Sequence, residues 1–103
     1  MIKELTDMDY YQEVEKSNMV YLVYFWAIWS PACITVTRYI EEIDNALSDK
    51  IKIGKVNVDN EIKIANDLDI QNIPTILIYN AGEIKEKIIG SVSKKVLLKK
   101  LDK

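Results

Sequence analysis

Apolar residues occur along the chain in runs that differ in length and period. Residues 18–26, NMVYLVYFW, form a continuous apolar run rich in Val, Tyr and Phe, which is typical of a strand buried on both faces. The segments 51–59 (IKIGKVNVD) and 75–79 (TILIY) predict two more central strands. Residues 84–89 (IKEKII) alternate, as a half-buried antiparallel edge strand does, and the preceding NAGE predicts a turn with positive φ at Gly82.

A helical period of three and four follows the first long strand. Ser30 and Pro31 predict the start of a helix over about residues 31–48, with serine at the N-cap and proline in the first turn, where no N–H is needed. The apolar positions of this helix lie on one stripe, namely Cys33, Val36, Ile40, Ile43 and Leu47. We therefore expect Cys33 on the buried face, at the N-terminal end of the helix.

Three shorter helices complete the pattern. Thr6 predicts the N-cap of a helix that runs to about Lys16, with Asp9 in its first turn. A short helix within residues 60–70 (NEIKIANDLDI) is expected to bury Ile62, Ala65 and Leu68. Ser93 predicts the N-cap of the last helix.

Strands that alternate with helices indicate parallel pairing through right-handed crossovers, and the final hairpin adds an antiparallel edge. The predicted fold class is α/β: a three-layer sandwich with a mixed sheet of four to five strands and helices on both faces. A chain of 103 residues suits one such domain, over residues 1–103.

Composition narrows the function classes without choosing one. The net charge is −2, and 7 of the 14 basic residues lie in residues 80–103. We interpret this tail as a solvated lysine-rich helix face, because a nucleic-acid interface requires a stronger basic excess. Apolar stretches are too short for a membrane span, and the N-terminal residues lack the layout of a signal peptide.

Cysteine and histidine counts exclude several chemistries. The chain has one cysteine and no histidine, so it has no Cys-His or Ser-His catalytic pair, and a zinc site is not expected. A lone cysteine cannot form an internal disulfide, which suits a reducing compartment, and we expect a cytoplasmic protein.

Four segments in register resemble the thioredoxin family over nearly the whole chain. YFWAIWSPAC (24–33) is similar to the strand end and WCGPC-type redox motif, with Trp29 on the tryptophan and Cys33 on the second cysteine. KVNVDN (55–60) is similar to the third-strand motif, and IQNIPTILIYNAGE (70–83) to the segment that carries a cis-proline. The resemblance implies a cis bond between Ile73 and Pro74, and it places Gly90 on the glycine before the last helix.

Three residues depart from the family pattern. Ser30 stands where the family has its first, attacking cysteine, so the motif is Ser-x-x-Cys in place of Cys-x-x-Cys. Tyr24 stands where many members bury an aspartate, and Ile34 where a lysine is common. Ser30 is either natural or an engineered substitution for cysteine. A serine oxygen cannot replace the attacking thiolate, so we expect this chain to be inactive or limited to the chemistry of one thiol.

The resemblance implies a site built from distant segments. The catalytic positions would be Cys33 and Ser30. The substrate-binding positions would be Trp29, Pro31, Ile73, Pro74 and Gly90. The supporting positions would be Tyr24, Ala32 and Lys55.

Ordinary structural interpretations compete with these roles. Cys33 alone would be a common core cysteine, and Pro74 alone would start a strand through a trans bond. Trp29 either shields the site or ends the buried strand. Lys55 either approaches the site through the sheet or lies along the sheet edge, and Gly90 either admits a partner backbone or only makes a turn.

The family implies a protein disulfide oxidoreductase that acts by dithiol-disulfide exchange in cell redox homeostasis. The alternatives are a redox-inactive module that binds extended peptides, and a one-thiol protein modified at Cys33 by glutathione or a partner cysteine. We expect disulfide-containing or extended-peptide protein substrates, and a thioredoxin-reductase-type electron donor if residue 30 is natively cysteine. We expect a monomer with no nucleic acid, membrane, metal or cofactor.

Overall fold

A five-stranded mixed sheet forms the middle layer of the computed structural model, which describes residues 1–102. The strands in spatial order are β1, β3, β2, β4 and β5. Their bounds are β1 Ile2–Glu4, β2 Val20–Trp26, β3 Ile51–Asn57, β4 Thr75–Asn80 and β5 Glu83–Ile89. The α/β sandwich with a mixed sheet is confirmed, with five strands.

Strand β2 is the centre of the sheet. It pairs in parallel with β3, in a register that sets Tyr24 opposite Lys55, and antiparallel with β4, where Tyr24 lies opposite Ile76. The short β1 extends the parallel side beyond β3, and β5 extends the antiparallel side beyond β4. Because β2 has neighbours on both edges and packed layers on both faces, its continuous apolar sequence is accounted for.

The helices are α1 Tyr10–Val14, α2 Pro31–Leu47, α3 Ile62–Asp67 and α4 Lys94–Leu101. Residues of α2 and α4 pack with the Leu22 and Tyr24 side of β2, in the cluster that contains Cys33. Residues of α1 and α3 pack with the opposite side, where Tyr21, Val23 and Phe25 point. The alternation along β2 thus divides the interior into two apolar layers.

The first helix is shorter than the sequence predicts. It spans Tyr10–Val14 with Asp9 at the N-cap, whereas the pattern indicated a helix from Thr6 to about Lys16. Thr6 and Asp9 exchange hydrogen bonds: the Asp9 N–H donates to Thr6 Oγ1 at 3.3 Å, and the Thr6 N–H donates to Asp9 Oδ1 at 2.8 Å. These reciprocal bonds form a capping box at Thr6, as predicted, and the Tyr10 N–H donates to the Thr6 carbonyl at 3.1 Å. Asp9 immediately precedes the regular helix but makes no side-chain capping bond there, so only the length of the helix differs from the prediction.

The buried face of α3 also differs from the prediction. Ile62 is 60% exposed, while Ile64 is fully buried beside Ala65. The helix has only 6 residues, and its first turn is tied to the N-terminal segment, because the Ile64 N–H donates to the Asp7 carboxylate at 2.8 Å. At the other end of the chain the prediction for Ser93 is confirmed, because its side chain accepts from the Val96 N–H at 3.2 Å.

A two-residue turn joins β4 to β5. Ala81 and Gly82 both have positive φ, at 53° and 81°, as a tight hairpin of this handedness requires. A Cβ on Gly82 would overlap the carbonyl oxygen of Glu15, at the end of α1. Glycine is therefore required here both by its backbone angle and by the close approach of α1.

Candidate functional site

The junction of β2 and α2 carries Trp29, Ser30 and Cys33. The chain leaves β2 at Trp26, turns with a hydrogen bond from the Ser30 N–H to the Ala27 carbonyl at 3.3 Å, and enters α2 at Pro31. Ser30 is the N-cap residue with extended backbone angles, φ −91° and ψ 113°, but its side chain makes no capping hydrogen bond. The predicted position of Ser30 is confirmed, and the prediction that its hydroxyl caps the helix is wrong.

Cys33 faces inward from the first turn of α2. Its backbone N–H donates to the Ser30 carbonyl at 3.1 Å, and the residue is only 3% exposed. It belongs to the apolar cluster on the α2 side of the sheet, as the stripe predicted. The thiol is therefore shielded from bulk solvent by the chain as it is folded here.

The hydroxyl of Tyr24 reaches the same helical turn from β2. It donates to the Cys33 carbonyl oxygen at 2.9 Å, and it lies 2.9 Å from Thr37 Oγ1. Burial is the main reason that the pKa of Tyr24 lies well above its usual value; the hydrogen bond with Thr37 opposes the shift, and interaction with Cys33 adds to it. Tyr24 is consequently a neutral hydrogen-bond donor at ordinary pH.

Trp29 is held on the surface of the site. The residue is 64% exposed, and its indole Nε1 donates to the Asp59 carboxylate at 2.9 Å. Asp59 is itself oriented, because its backbone N–H donates to Asn57 Oδ1 at 3.0 Å. Ile28 beside Trp29 is 82% exposed. This pair presents apolar area to solvent, and it excludes the interpretation of Trp29 as the buried end of the strand.

The bond between Ile73 and Pro74 is cis, as the resemblance implied. Pro74 is buried, and its carbonyl accepts from the Gly90 N–H at 2.8 Å. Ile73 is half-buried and packs against the cluster that contains Cys33. Ile73, Pro74 and Gly90 are therefore connected to one another, and Ile73 connects them to the Cys33 side of the sheet.

Gly90 has a φ of 88°, and a Cβ added to it would meet no atom within 4 Å. The positive φ accounts for glycine as a turn residue, and the open space leaves room for another molecule. Nearby, a groove of about 350 Å³ is lined by residues of α2 and of the segment before α4. Those lining residues are Ala32, Thr35, Val36, Tyr39, Ser91, Val92 and Ser93.

Lys55 lies behind the site, on β3. Its Nζ is 5.3 Å from the centroid of the Trp26 ring, a distance at which a cation and an aromatic face attract. Lys55 and Trp26 line a cavity of about 50 Å³ together with Tyr24, Thr37 and Glu41, among others. The indole Nε1 of Trp26 is buried and has no hydrogen-bond partner in residues 1–102. Lys55 thus shares a cavity with Tyr24 rather than extending freely from the sheet.

Comparison with known proteins decides the family. The family model described as Thioredoxin matches residues 1–103. The chain belongs to the thioredoxin family. Thioredoxin of Pyropia yezoensis is 37% identical over 102 residues, covering 99% of this chain and 95% of the relative. Thioredoxin of Rickettsia typhi is 36% identical over 103 residues, covering 100% and 98%, and Thioredoxin 1 of Synechococcus elongatus is 37% identical over 99 residues, covering 96% and 92%.

Membership of the thioredoxin family supports a disulfide oxidoreductase function and disulfide-containing proteins as the class of substrate. In residues 1–102, no helix is both long and apolar enough to span a bilayer. Nor do the described residues bring three His, Cys, Asp or Glu side chains together as a metal site would require.

Two residues of the site had no assigned role from the sequence. Asp59 lies in the thioredoxin-like segment KVNVDN, but its role as the hydrogen-bond partner of Trp29 was not predicted. The two residues are 30 positions apart, so sequence spacing does not reveal the contact. Thr37 could have been predicted as a neighbour of Cys33, because it lies four residues later and therefore on the same face of α2. Pro31, in contrast, was named for substrate binding and is exposed at the start of α2, beside the half-buried Ala32.

Proposed function

We propose that this chain is a protein disulfide oxidoreductase of the thioredoxin type in which Ser30 occupies the position of the attacking cysteine. The observation that carries the proposal is the placement of Ser30 at the N-cap of α2, with Cys33 in the following turn, in a chain whose whole length matches the family. With serine at that position, the chain is inactive as a dithiol reductase and is limited to the chemistry of Cys33.

The reaction requires two sulfurs. A thiolate attacks one sulfur of the substrate disulfide, forms a mixed disulfide and releases the other substrate sulfur as a thiolate. A second thiolate of the enzyme then attacks the enzyme sulfur of the mixed disulfide and releases the remaining substrate sulfur as a thiolate. The substrate gains two electrons, and the enzyme retains an internal disulfide. The N-terminus of a helix stabilises the first thiolate through its dipole and free N–H groups. Ser30 is at that location but offers an oxygen, which forms no stable bond to sulfur.

The remaining site residues would hold the substrate. An extended segment of the partner would pair with the backbone at Ile73, next to Pro74, and pass over Gly90. Trp29 and Pro31 would contact it from the start of α2, with Tyr24, Ala32 and Lys55 in support. The partners would be disulfide-containing or extended-peptide proteins, met by a cytoplasmic monomer. The electron donor would be of the thioredoxin-reductase type if residue 30 is natively cysteine.

The test is the substitution Ser30→Cys. The new thiol would stand three residues before Cys33 along α2, and such a spacing meets the Cα separation of about 4.4–6.8 Å that a disulfide needs. We expect the original chain to add nothing to the reduction of a disulfide-bonded protein by dithiothreitol alone. Ser30→Cys should accelerate that reduction and should lose two thiols on oxidation.

Two controls make the result specific. Ser30→Ala removes the hydroxyl without adding sulfur and should remain inactive. Ser30→Cys combined with Cys33→Ser should form stable mixed disulfides but turn over slowly, because the resolving thiol is missing. Sustained turnover by the original chain, or a folded Ser30→Cys variant that neither forms the internal bond nor turns over, would contradict the proposal.

A second candidate function is a redox-inactive module that binds extended peptides. It is favoured by the exposed apolar pair Ile28 and Trp29 and by the open space at Gly90, neither of which requires a reactive thiol. Titration of the original chain with a cysteine-free extended peptide, followed by fluorescence, tests this alternative. Saturable binding that Gly90→Ala weakens would support it, and an unchanged spectrum would count against it. The 3% exposure of Cys33 opposes modification by glutathione in the folded state.

A further inference from the structure

Tyr24 connects the central strand to the first turn of α2 through its side chain. The hydroxyl group is 2.9 Å from the Cys33 carbonyl oxygen and 2.9 Å from Thr37 Oγ1, so two residues of α2 share it. Tyr24 is 1% exposed, and its position is fixed by backbone pairing with β3 on one side and β4 on the other. A rigid part of the sheet therefore holds the turn that carries Cys33.

Only one arrangement of the hydroxyl protons makes both contacts of Tyr24 hydrogen bonds. A phenol has one O–H, and the bond to the Cys33 carbonyl uses it, because a carbonyl oxygen only accepts. Thr37 must then donate its own O–H to the Tyr24 oxygen. Burial keeps the phenol protonated by raising the pKa of Tyr24, so the arrangement persists at ordinary pH.

The bond occupies the backbone carbonyl of the same residue that carries the thiol. Within α2 the Cys33 carbonyl also accepts the N–H of residue 37, and the phenol supplies a second donor for the same oxygen. Opening the first turn would leave the carbonyl, the phenol and the Thr37 hydroxyl without these partners in a largely water-free region. Such a loss of buried hydrogen bonds makes opening of the turn unfavourable.

We propose that Tyr24 is a positioning residue for Cys33, whose hydroxyl keeps the first turn of α2 closed and the thiol inaccessible to disulfides in solution. The inference rests on the proposed function in that it treats Cys33 as the resolving thiol, which should react only with a mixed disulfide formed next to it. Protection of this kind would prevent Cys33 from attacking disulfides in place of the residue at position 30.

The reaction of Cys33 with an aromatic disulfide reagent tests the proposal in the folded protein. The Cys33 thiolate attacks one sulfur of the reagent, which forms a mixed disulfide and releases one coloured aromatic thiolate per chain. We expect Tyr24→Phe, which removes only the hydroxyl, to react about 5- to 30-fold faster than the original chain, as loss of one to two buried hydrogen bonds would allow.

The matched control is Tyr79→Phe. Tyr79 also has a buried hydroxyl, which lies 2.9 Å from the hydroxyl of Tyr10, but this pair belongs to the apolar layer on the opposite face of the sheet. If Cys33 reacted only after global unfolding, both variants would accelerate the reaction in proportion to their loss of stability. We therefore compare the rates at urea concentrations that give each protein the same free energy of unfolding. Under these conditions, Tyr79→Phe should change the rate of modification less than twofold.

Substitutions at Thr37 separate a hydrogen-bond role from simple packing. Thr37→Val keeps the shape but removes the donor to Tyr24, and it should raise the rate of modification. Thr37→Ser keeps the donor and should retain the original rate. Equal rates for Tyr24→Phe and the original chain, or equal effects of Tyr24→Phe and Tyr79→Phe, would overturn the proposal. The turnover of Ser30→Cys reports the proposed function separately, because Tyr24 is unchanged in that variant.

Discussion

Replacing each of the two positive-φ glycines by alanine separates backbone strain from steric overlap. Gly82 and Gly90 have nearly equal φ, at 81° and 88°, so alanine suffers similar strain at both. That strain is about 1–2 kcal/mol, offset by about 0.4–1 kcal/mol because alanine restricts the unfolded chain. Gly90→Ala should therefore lower the free energy of unfolding by about 0.5–1.5 kcal/mol, since its Cβ meets nothing.

Gly82→Ala should be more destabilising. Its Cβ would overlap the carbonyl oxygen of Glu15, a backbone atom that cannot rotate away, so the hairpin and α1 must separate. Forced repacking of this kind costs about 1–3 kcal/mol in addition to the strain. We expect a total loss of about 2–4 kcal/mol for Gly82→Ala, with a difference of at least about 1 kcal/mol between the two variants.

Urea denaturation followed by circular dichroism measures both values, and an unchanged m-value would show that the unfolded states are comparable. A difference below about 0.5 kcal/mol would refute the reasoning, because the contact with Glu15 would then have no energetic weight. Activity provides the complementary measurement. In the Ser30→Cys background, Gly90→Ala should raise KM for a protein disulfide, whereas Gly82→Ala should leave KM unchanged under conditions where it is folded.

Two further predictions concern helix caps and ionisation. Ser93→Ala should cost about 1 kcal/mol because it removes a capping bond, whereas Ser30→Ala should change stability by less than about 0.5 kcal/mol. Urea midpoints check both, and a larger cost at Ser30 would contradict the cap geometry. Stability should also fall from about pH 10 upward, by up to about 1.4 kcal/mol per pH unit for each tyrosine that ionises only on unfolding. The folded-state pKa is raised above the unfolded value, chiefly by burial, for Tyr10, Tyr21, Tyr24 and Tyr79. Urea midpoints that stay constant from about pH 9 to about pH 11 would count against this expectation.

Sequence patterns predicted the elements whose cause is local. The continuous run in β2 and the stripe along α2 each extend over several turns or residues, so single exceptions do not obscure them. Short helices were predicted less well: α1 has 5 residues and α3 has 6, so neither has enough turns for an apolar stripe to define its ends or its buried face. Ile62 and Ile64 illustrate the point, because they lie two positions apart in one short helix, yet Ile64 is fully buried and Ile62 is 60% exposed.

The site was predicted in part through family resemblance. That resemblance placed the cis bond before Pro74, whereas the helix start at Ser30 and the apolar stripe of α2 had already placed Cys33 on the buried face of its first turn. It did not predict the hydroxyl network of Tyr24, because a tyrosine at this position departs from the family pattern. At Ser30 the sequence predicted too much. Serine favours the N-cap and does occupy the N-cap of α2, but its side chain forms no capping hydrogen bond.

The central position of β2 has a consequence for synthesis of the chain. Both of its neighbours, Ile51–Asn57 and Thr75–Asn80, are made after it, and the second completes more than fifty residues later. At about 5–20 residues per second, a ribosome needs roughly 3–10 s for that distance. During this interval Val20–Trp26 is an apolar segment with an unpaired edge, which is the kind of sequence that aggregates or binds chaperones. A chain truncated before β4 would keep that edge of β2 unpaired, so the C-terminal hairpin protects the central strand from intermolecular pairing.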